Sequence, residues 1–238
     1  MMNPGNIGDL TVESYLLPLL ITDKVTGAAT VNCKPRPDYS TPASDGNIRI
    51  VLPQQTHTTN VGIVTDPDDQ FPDTDALITQ LPRVAVGIRT ADCVPLLLHA
   101  PDIEAVAAIH AGWRGTIGGI VDNTVRELQY MGADPGKISA AFGIAVCGNC
   151  YEVDRELADR FSAEGFSEAV IETFQKPHID LVRANTIRLE RCGIASTNIR
   201  HTDLCTLHSV SDNGELLFHS WRRCPGLLHR NYTFIYLH

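Results

Sequence analysis

VAVGIRTADCVPLLLHAPDIEAVAAIHAGWRG, residues 84–115, holds three apolar runs almost without a break. Residues 84–89, 94–99 and 105–109 are β-branched or rich in leucine and alanine, and turn signals such as Ala100-Pro101-Asp102 bound them. Runs in which polar residues do not alternate with apolar ones predict central strands buried on both faces. Chemistry-bearing side chains sit where these runs end: Cys93 just before the second and His110 just after the third.

Outward from this block the pattern stays β-rich. Short runs at 48–52, 61–64 and 76–79 precede it, and 16–21 and 27–31 are strand-like pieces within a first 46 residues rich in Pro, Asn, Asp and Gly. After Gly115 the period changes. Ile117, Ile120, Val121, Thr124, Val125 and Leu128 recur at helical spacing, predicting a helix capped by Thr116 and ended by Gly132. Residues 138–146 return to strand character. Helices are expected over 154–164, with Val153, Leu157 and Phe161 on one face, and over 181–191, stopping at Gly193. The end is again β-rich, at 199–202, 216–221 and 232–237. Strands outnumber helices and their connections are mixed, so the expected class is α+β rather than a doubly wound sheet. No repeat or linker divides residues 1–238, which read as a single domain.

Composition narrows the partners. With 238 residues, 43% of them hydrophobic and 20% charged, the chain has material for a sizeable core. A net charge of -9 repels polyanions, so no nucleic-acid partner is expected. A small substrate fits, because a pocket can carry a local field opposite to the net charge. No stretch approaches the roughly 20 apolar residues of a membrane span. The N-terminus also lacks the basic region of a signal peptide. The expectation is a cytoplasmic protein with no membrane partner, a monomer or a homodimer. Seven cysteines, an odd number, read as thiols in a reducing compartment rather than as a disulfide scaffold.

Three segments carry chemistry: Gln54-Gln55-Thr56-His57, Thr90-Ala91-Asp92-Cys93 and Ile109-His110-Ala111-Gly112-Trp113-Arg114-Gly115. Each puts a nitrogen or sulfur ligand at the end of an apolar run. His57, Cys93 and His110 together form a three-ligand set that leaves zinc an open fourth position, the pattern of a catalytic site. Zinc there would bring the pKa of bound water to about 7. No CxxC or HxxxH pair fixes the trio by spacing alone. Arg114, beside a helix start, suits phosphate or another oxyanion. Cys147-Gly148-Asn149-Cys150 is read mainly as a loop lining the pocket, because no second CxxC accompanies it. The other histidines, His208 among them, are given no role. The pair Arg222-Arg223 gains interest only if the C-terminal strands fold back on the site.

These segments, with Cys150-Tyr151-Glu152-Val153, Asp203-Leu204-Cys205-Thr206 and Ser220-Trp221-Arg222-Arg223, resemble the YfiH-like family. That family is also described as multicopper polyphenol oxidase (laccase)-like, as purine nucleoside phosphorylase and as peptidoglycan editing factor. The resemblance runs from about residue 50 to the C-terminus, leaving 1–46 as a divergent N-terminal segment. It implies a four-layer α/β/β/α fold with mixed sheets, distantly like cysteine-dependent bacterial toxin deamidases. It also implies zinc ligands at His57, Cys93 and His110, the set chosen above.

The activity implied is phosphorolysis of adenosine, inosine or methylthioadenosine with phosphate as co-substrate, and adenosine deamination. Arg114 would hold the anion near the ribose C1′. Asp92 or Asp75 would hydrogen-bond the base or orient a ligand, and Arg222 would join the substrate contacts. The alternative makes Cys93 a nucleophile and His110 its base, acting on an amide-like bond of a cell-wall precursor. One His2Cys set can hold a single copper, but the chain has none of the His-x-His pairs a multicopper centre uses. A non-catalytic metal-binding module is the remaining alternative. The chain departs from the family at residues 143–150, where both loop prolines are lost and only Cys150 keeps its place.

Overall fold

A computed structural model describes residues 48–226 and 228–237, together with the backbone of four strands before them: β1 (Gly5–Ile7), β2 (Leu10–Val12), β3 (Ser14–Leu16) and β4 (Val25–Cys33). The chain continues through β5 (Arg49–Val51), β6 (Val61–Val64), β7 (Ala76–Thr79), β8 (Val84–Thr90), β9 (Val94–Ala100) and β10 (Ala105–Ala111). Helices α1 (Trp113–Gly118) and α2 (Ile120–Tyr130) follow, then β11 (Ser139–Phe142) and α3 (Arg155–Ala163). The short strands β12 (Val170–Ile171) and β13 (His178–Ile179), helix α4 (Leu181–Arg191), β14 (Ile199–Arg200) and β15 (Arg230–Leu237) complete it.

The three runs of the opening stretch are β8, β9 and β10, and every residue of β9 and β10 is buried. The turn at Pro101-Asp102 makes β9 and β10 an antiparallel hairpin, in register from Ala105 opposite Ala100 to Ala111 opposite Val94. This hairpin is the centre of a six-stranded mixed sheet ordered β14-β11-β9-β10-β7-β6. Alternate side chains leave its two faces. Leu96, Leu98, Ala107 and Ile109 pack with Ile120, Val121, Val125 and Leu128 of α2 and with Ala184 and Leu189 of α4. Leu97, Val106 and Ala108 point the other way, onto Val86, Ile88 and Ile235 of a second sheet. That second sheet has five strands in the order β3-β4-β15-β8-β5 and is also mixed, with β5 and β8 parallel. A strand with no polar face is the consequence of lying between a helical layer and another sheet. The fold is α+β with mixed sheets, and the described residues build three of the expected layers, α/β/β.

Several expectations change in detail. The helix after Gly115 is two helices. Gly112 caps α1, so Thr116 lies buried inside it, and Gly119 breaks the run at φ +88 before α2 begins. A residue in the left-handed region interrupts the helical ladder, and glycine is the residue that adopts it without steric cost. Strand character over 138–146 stops at Phe142, and the expected strand over 216–221 is a single bridge at Leu216 followed by turns. There Leu216 is exposed and Leu217 and Phe218 pack on Ile144 instead of extending a sheet. Of the expected strand over 16–21, only Leu16 lies in described structure; the rest falls outside the described residues. Among the described residues no helix is long and apolar enough to cross a membrane.

Candidate metal centre and substrate cavity

The hairpin register puts the ends of β9 and β10 side by side, with His110 opposite Pro95 and Ala111 opposite Val94. Cys93, the residue before Val94, therefore faces Gly112. The approach is close: a Cβ built on Gly112 would stand 3.1 Å from Cys93 Sγ and 3.1 Å from a His57 ring carbon. Glycine is needed here for space.

His57 arrives from the loop between β5 and β6. Gln55 ties that loop to the end of β8, accepting from Arg89 N and donating to Arg89 O, both at 2.8 Å. His57 itself has φ +64, a left-handed conformation that costs a non-glycine residue free energy and has to be held.

Asp75, fully buried just before β7, does the holding. Its Oδ1 accepts from His57 N (3.1 Å) and lies 2.6 Å from His110 Nδ1. Its Oδ2 accepts from Thr56 N (3.1 Å), Thr58 N (2.7 Å) and Thr58 Oγ1 (3.0 Å). Burial opposes the charge, but these bonds and the positive His110 beside it overcome that and hold the carboxyl down to about 2. An ionised carboxylate can only accept, so His110 Nδ1 carries the proton and Nε2 is left for the site.

At that site Cys93 Sγ lies 3.9 Å from His57 Nε2, the two imidazoles meet edge-on with centroids 4.8 Å apart, and the donor atoms of all three residues lie within 4.8 Å of one another. Two donors on a tetrahedral zinc, one sulfur and one nitrogen, stand about 3.6 Å apart. The set needs only a small contraction to hold such an ion, and one thiolate with two imidazoles is a donor chemistry zinc accepts. In the metal-free protein the same groups polarise each other. Burial disfavours the Cys93 thiolate, yet the neighbouring His110 and His57 outweigh it and bring the thiol down to about 6. Burial likewise disfavours charged His110, but Cys93 and Asp75 raise it to about 9.

The three donors open onto a cavity of roughly 880 Å³, whose lining includes Arg89, Asp92, Tyr151, Trp221, Arg222 and Arg230. It lies where the chain crosses from one sheet to the other, between the end of β8 and the start of β9. Asp92 makes that crossing at φ +95. Its carboxylate accepts from Thr206 Oγ1 (2.6 Å) and from Arg222 N (2.8 Å). Thus the C-terminal segment does fold back on the site. Arg222 lies over the Tyr151 ring at 4.6 Å and donates to Glu152 O at 2.7 Å. Burial, with the nearby Cys93 charge, pushes the Tyr151 phenol up to about 12, so it remains a hydrogen-bond donor.

Two residues expected at the substrate, Asp75 and Arg114, lie outside the cavity lining. Asp75 is sealed behind His110 with both oxygens engaged, so it orients ligands and does not reach the cavity. Arg114 is exposed, stacks over Trp113 at 4.3 Å and is not in the cavity wall. Its place as the cation of the cavity falls to Arg89, Arg222 and Arg230. Sequence reasoning passed over Arg89, although its position at the end of an apolar run was a visible signal. Tyr151 stands in the Cys150–Val153 segment of the family resemblance but was given no role there, and nothing local marked Arg230.

The profile of the family described as multi-copper polyphenol oxidoreductase laccase matches residues 41–238. A protein of Deinococcus radiodurans named purine nucleoside phosphorylase is 40% identical over 161 residues, 68% of this chain and 60% of that protein. A protein named adenosine deaminase RL5, from an unknown prokaryotic organism, is 36% identical over 170 residues, 66% of this chain and 65% of its own length. The chain therefore covers less than two thirds of these relatives. The crystal structure of the Bacillus licheniformis hypothetical protein YfiH aligns with a TM-score of 0.79 at 24% identity, covering 99% of this chain and 100% of that one, a likeness of fold.

Proposed function

The chain belongs to the family described as multi-copper polyphenol oxidoreductase laccase, and from that membership and the cavity we propose a zinc-dependent enzyme of purine nucleosides. Its reaction is phosphorolysis of adenosine, inosine or methylthioadenosine, accompanied by adenosine deamination. The observation that carries the reading is the convergence of a thiolate–imidazole donor set and three arginines on one cavity of roughly 880 Å³, a volume suited to a small organic ligand. The relatives named purine nucleoside phosphorylase and adenosine deaminase support the substrate class.

In this reading His57, Cys93 and His110 hold zinc, and Asp75 fixes the His110 ring through Nδ1. The ion supplies a Lewis acid that makes water nucleophilic near neutral pH. Arg222, Arg89 and Arg230 bind the phosphate co-substrate against the chain's overall negative charge. A phosphate oxygen attacks C1′ of the ribose, the C1′–N9 bond breaks, and its electron pair leaves with the purine, which takes up a proton. In deamination water adds at C6 of adenine and ammonia leaves. Tyr151 and Trp221 offer aromatic faces to the base.

The test is to incubate metal-quantified protein with adenosine, with and without phosphate, and to separate adenine, inosine and ribose 1-phosphate by chromatography. Adenine and ribose 1-phosphate should form only with phosphate, inosine without it, and neither with Cys93→Ala. Absence of all three products from the wild type rejects the reading.

A second reading rests on the thiolate–imidazolium pair. Cys93 at about 6 beside His110 at about 9 is a charged dyad suited to attack on an amide of a cell-wall precursor. Metal and nucleophilic attack compete for one thiolate. Full activity in chelator-treated protein, abolished by alkylation, would establish the hydrolase instead.

A further inference from the structure

A second set of metal-binding side chains converges outside this centre. Cys147 caps the turn Gly148–Cys150 that follows β11 and Cys150 ends it, spaced CxxC. Cys205 and His208 stand on the loop after β14, spaced CxxH, so the partner motif that the sequence lacked as a second CxxC is present with histidine as its last member. Backbone pairing brings the two loops together. Ala145 and Cys205 form a parallel bridge, and Thr206 N donates to Ala145 O at 3.0 Å.

We propose that Cys147, Cys150, Cys205 and His208 bind a structural zinc ion, a second metal site separate from His57, Cys93 and His110. Their donor atoms all lie within 4.8 Å of one another, and Cys150 Sγ is 3.4 Å from His208 Nδ1. Around a tetrahedral zinc the sulfur–nitrogen edge is about 3.6 Å and the sulfur–sulfur edge about 3.8 Å. Four protein donors close the coordination shell, which marks a structural ion rather than a catalytic one.

The surroundings fit a thiolate cluster. Cys205 Sγ, fully buried, accepts from Cys147 N at 3.3 Å and from Leu207 N at 3.4 Å, bonds that steady a ligand sulfur. None of the three cysteines is in a disulfide. Between the two CxxC cysteines Gly148 is needed for space, since a Cβ there would stand 2.9 Å from the Asp180 Cβ. His208 is exposed, which gives an ion its way in.

The ion would brace the wall of the substrate cavity without touching substrate. Tyr151, which follows Cys150, lines the cavity, and Thr206, which follows Cys205, donates to Asp92 beside Cys93. Removing it should loosen the Asp92 crossing as well as the two loops.

The test is zinc content by plasma mass spectrometry and zinc K-edge X-ray absorption on the full chain purified under reducing conditions. A Cys150→Ser/His208→Ala double variant should hold one zinc fewer than the wild type. Absorption should show an average of two sulfurs per zinc when both centres are filled, and three when only this one is. The wild-type spectrum needs no substitution, so a misfolded variant does not hide the answer. An average of one sulfur or none, unchanged zinc in the double variant, or a Cys147–Cys150 disulfide in the purified protein overturns the proposal. The outcome is independent of the nucleoside reading: protein inactive on nucleosides would still carry this ion.

Discussion

Asp75→Asn probes how the centre is held. The carboxylate accepts four backbone or hydroxyl bonds from residues 56–58 and orients His110. Its drop from the ordinary 3.8 to about 2 corresponds to about 2 kcal/mol of interaction favouring the charged form. Because the folded value is the lower one, that stabilisation is complete above pH 4 or so and is lost as pH falls toward 2. Asparagine keeps the shape but turns one acceptor into a donor, aimed either at His110 Nδ1 or at the amides of Thr56 and Thr58. A stability loss of about 1–3 kcal/mol follows from one buried clash of donors. Loss of an outer partner to a ligating histidine should also weaken zinc binding about 10–100-fold. In metal-free protein His110 would hold its charge less firmly, so the Cys93 thiol should rise from about 6 toward its ordinary value. Chelator competition reads the affinity, and the pH dependence of iodoacetamide alkylation reads the thiol. Unchanged affinity together with an unchanged alkylation profile would refute the reasoning.

Three further outcomes are expected. Gly112→Ala should weaken metal binding by at least tenfold with little loss of fold, because the added methyl would stand 3.1 Å from Cys93 Sγ and must part it from His57; zinc titration and circular dichroism check this. Arg222→Ala should raise the KM for phosphate about 10–100-fold, whereas Arg114→Ala, outside the cavity wall, should change it less than threefold in steady-state assays. Metal-free wild type should be alkylated at Cys93 with a rate that climbs as pH rises through about 6 and falls away below it, since the thiolate is the reactive form, and added zinc should suppress the reaction. Mass spectrometry of the Cys93 peptide follows both effects.

Much of the fold was legible because burial on both faces writes itself into composition. The unbroken runs that became β8, β9 and β10 can exist only between two covering layers, and the turn at Pro101-Asp102 announced the hairpin that aligns Cys93 with His110. Helix periodicity found the span of α2 but not the break at Gly119, since one left-handed residue leaves the apolar spacing intact. Apolar content over 216–221 looked like a strand, yet Leu217 and Phe218 are buried by packing on Ile144, which needs no ladder. Cys93 and His110 were legible as candidate metal donors at strand ends, whereas His57 stands in the loop between β5 and β6. Of the cavity's cations, Arg222 was legible through the pair Arg222-Arg223 and the family resemblance, but Arg230 was not, because it reaches the cavity from a segment more than a hundred residues away. The second donor cluster stayed hidden for the same reason: CxxC and CxxH are each weak alone and gain meaning only through the bridge between Ala145 and Cys205.

The central claim is that a zinc ion on His57, Cys93 and His110 drives nucleoside chemistry. It is tested most directly by titrating zinc into metal-free protein while following phosphate-dependent release of adenine from adenosine. The account predicts that activity is absent without zinc and rises with filling of this centre, reaching a plateau when it is full, and that Cys93→Ala stays inactive at every zinc concentration. Full activity in the metal-free protein, or zinc-restored activity in Cys93→Ala equal to that of the wild type, would contradict it.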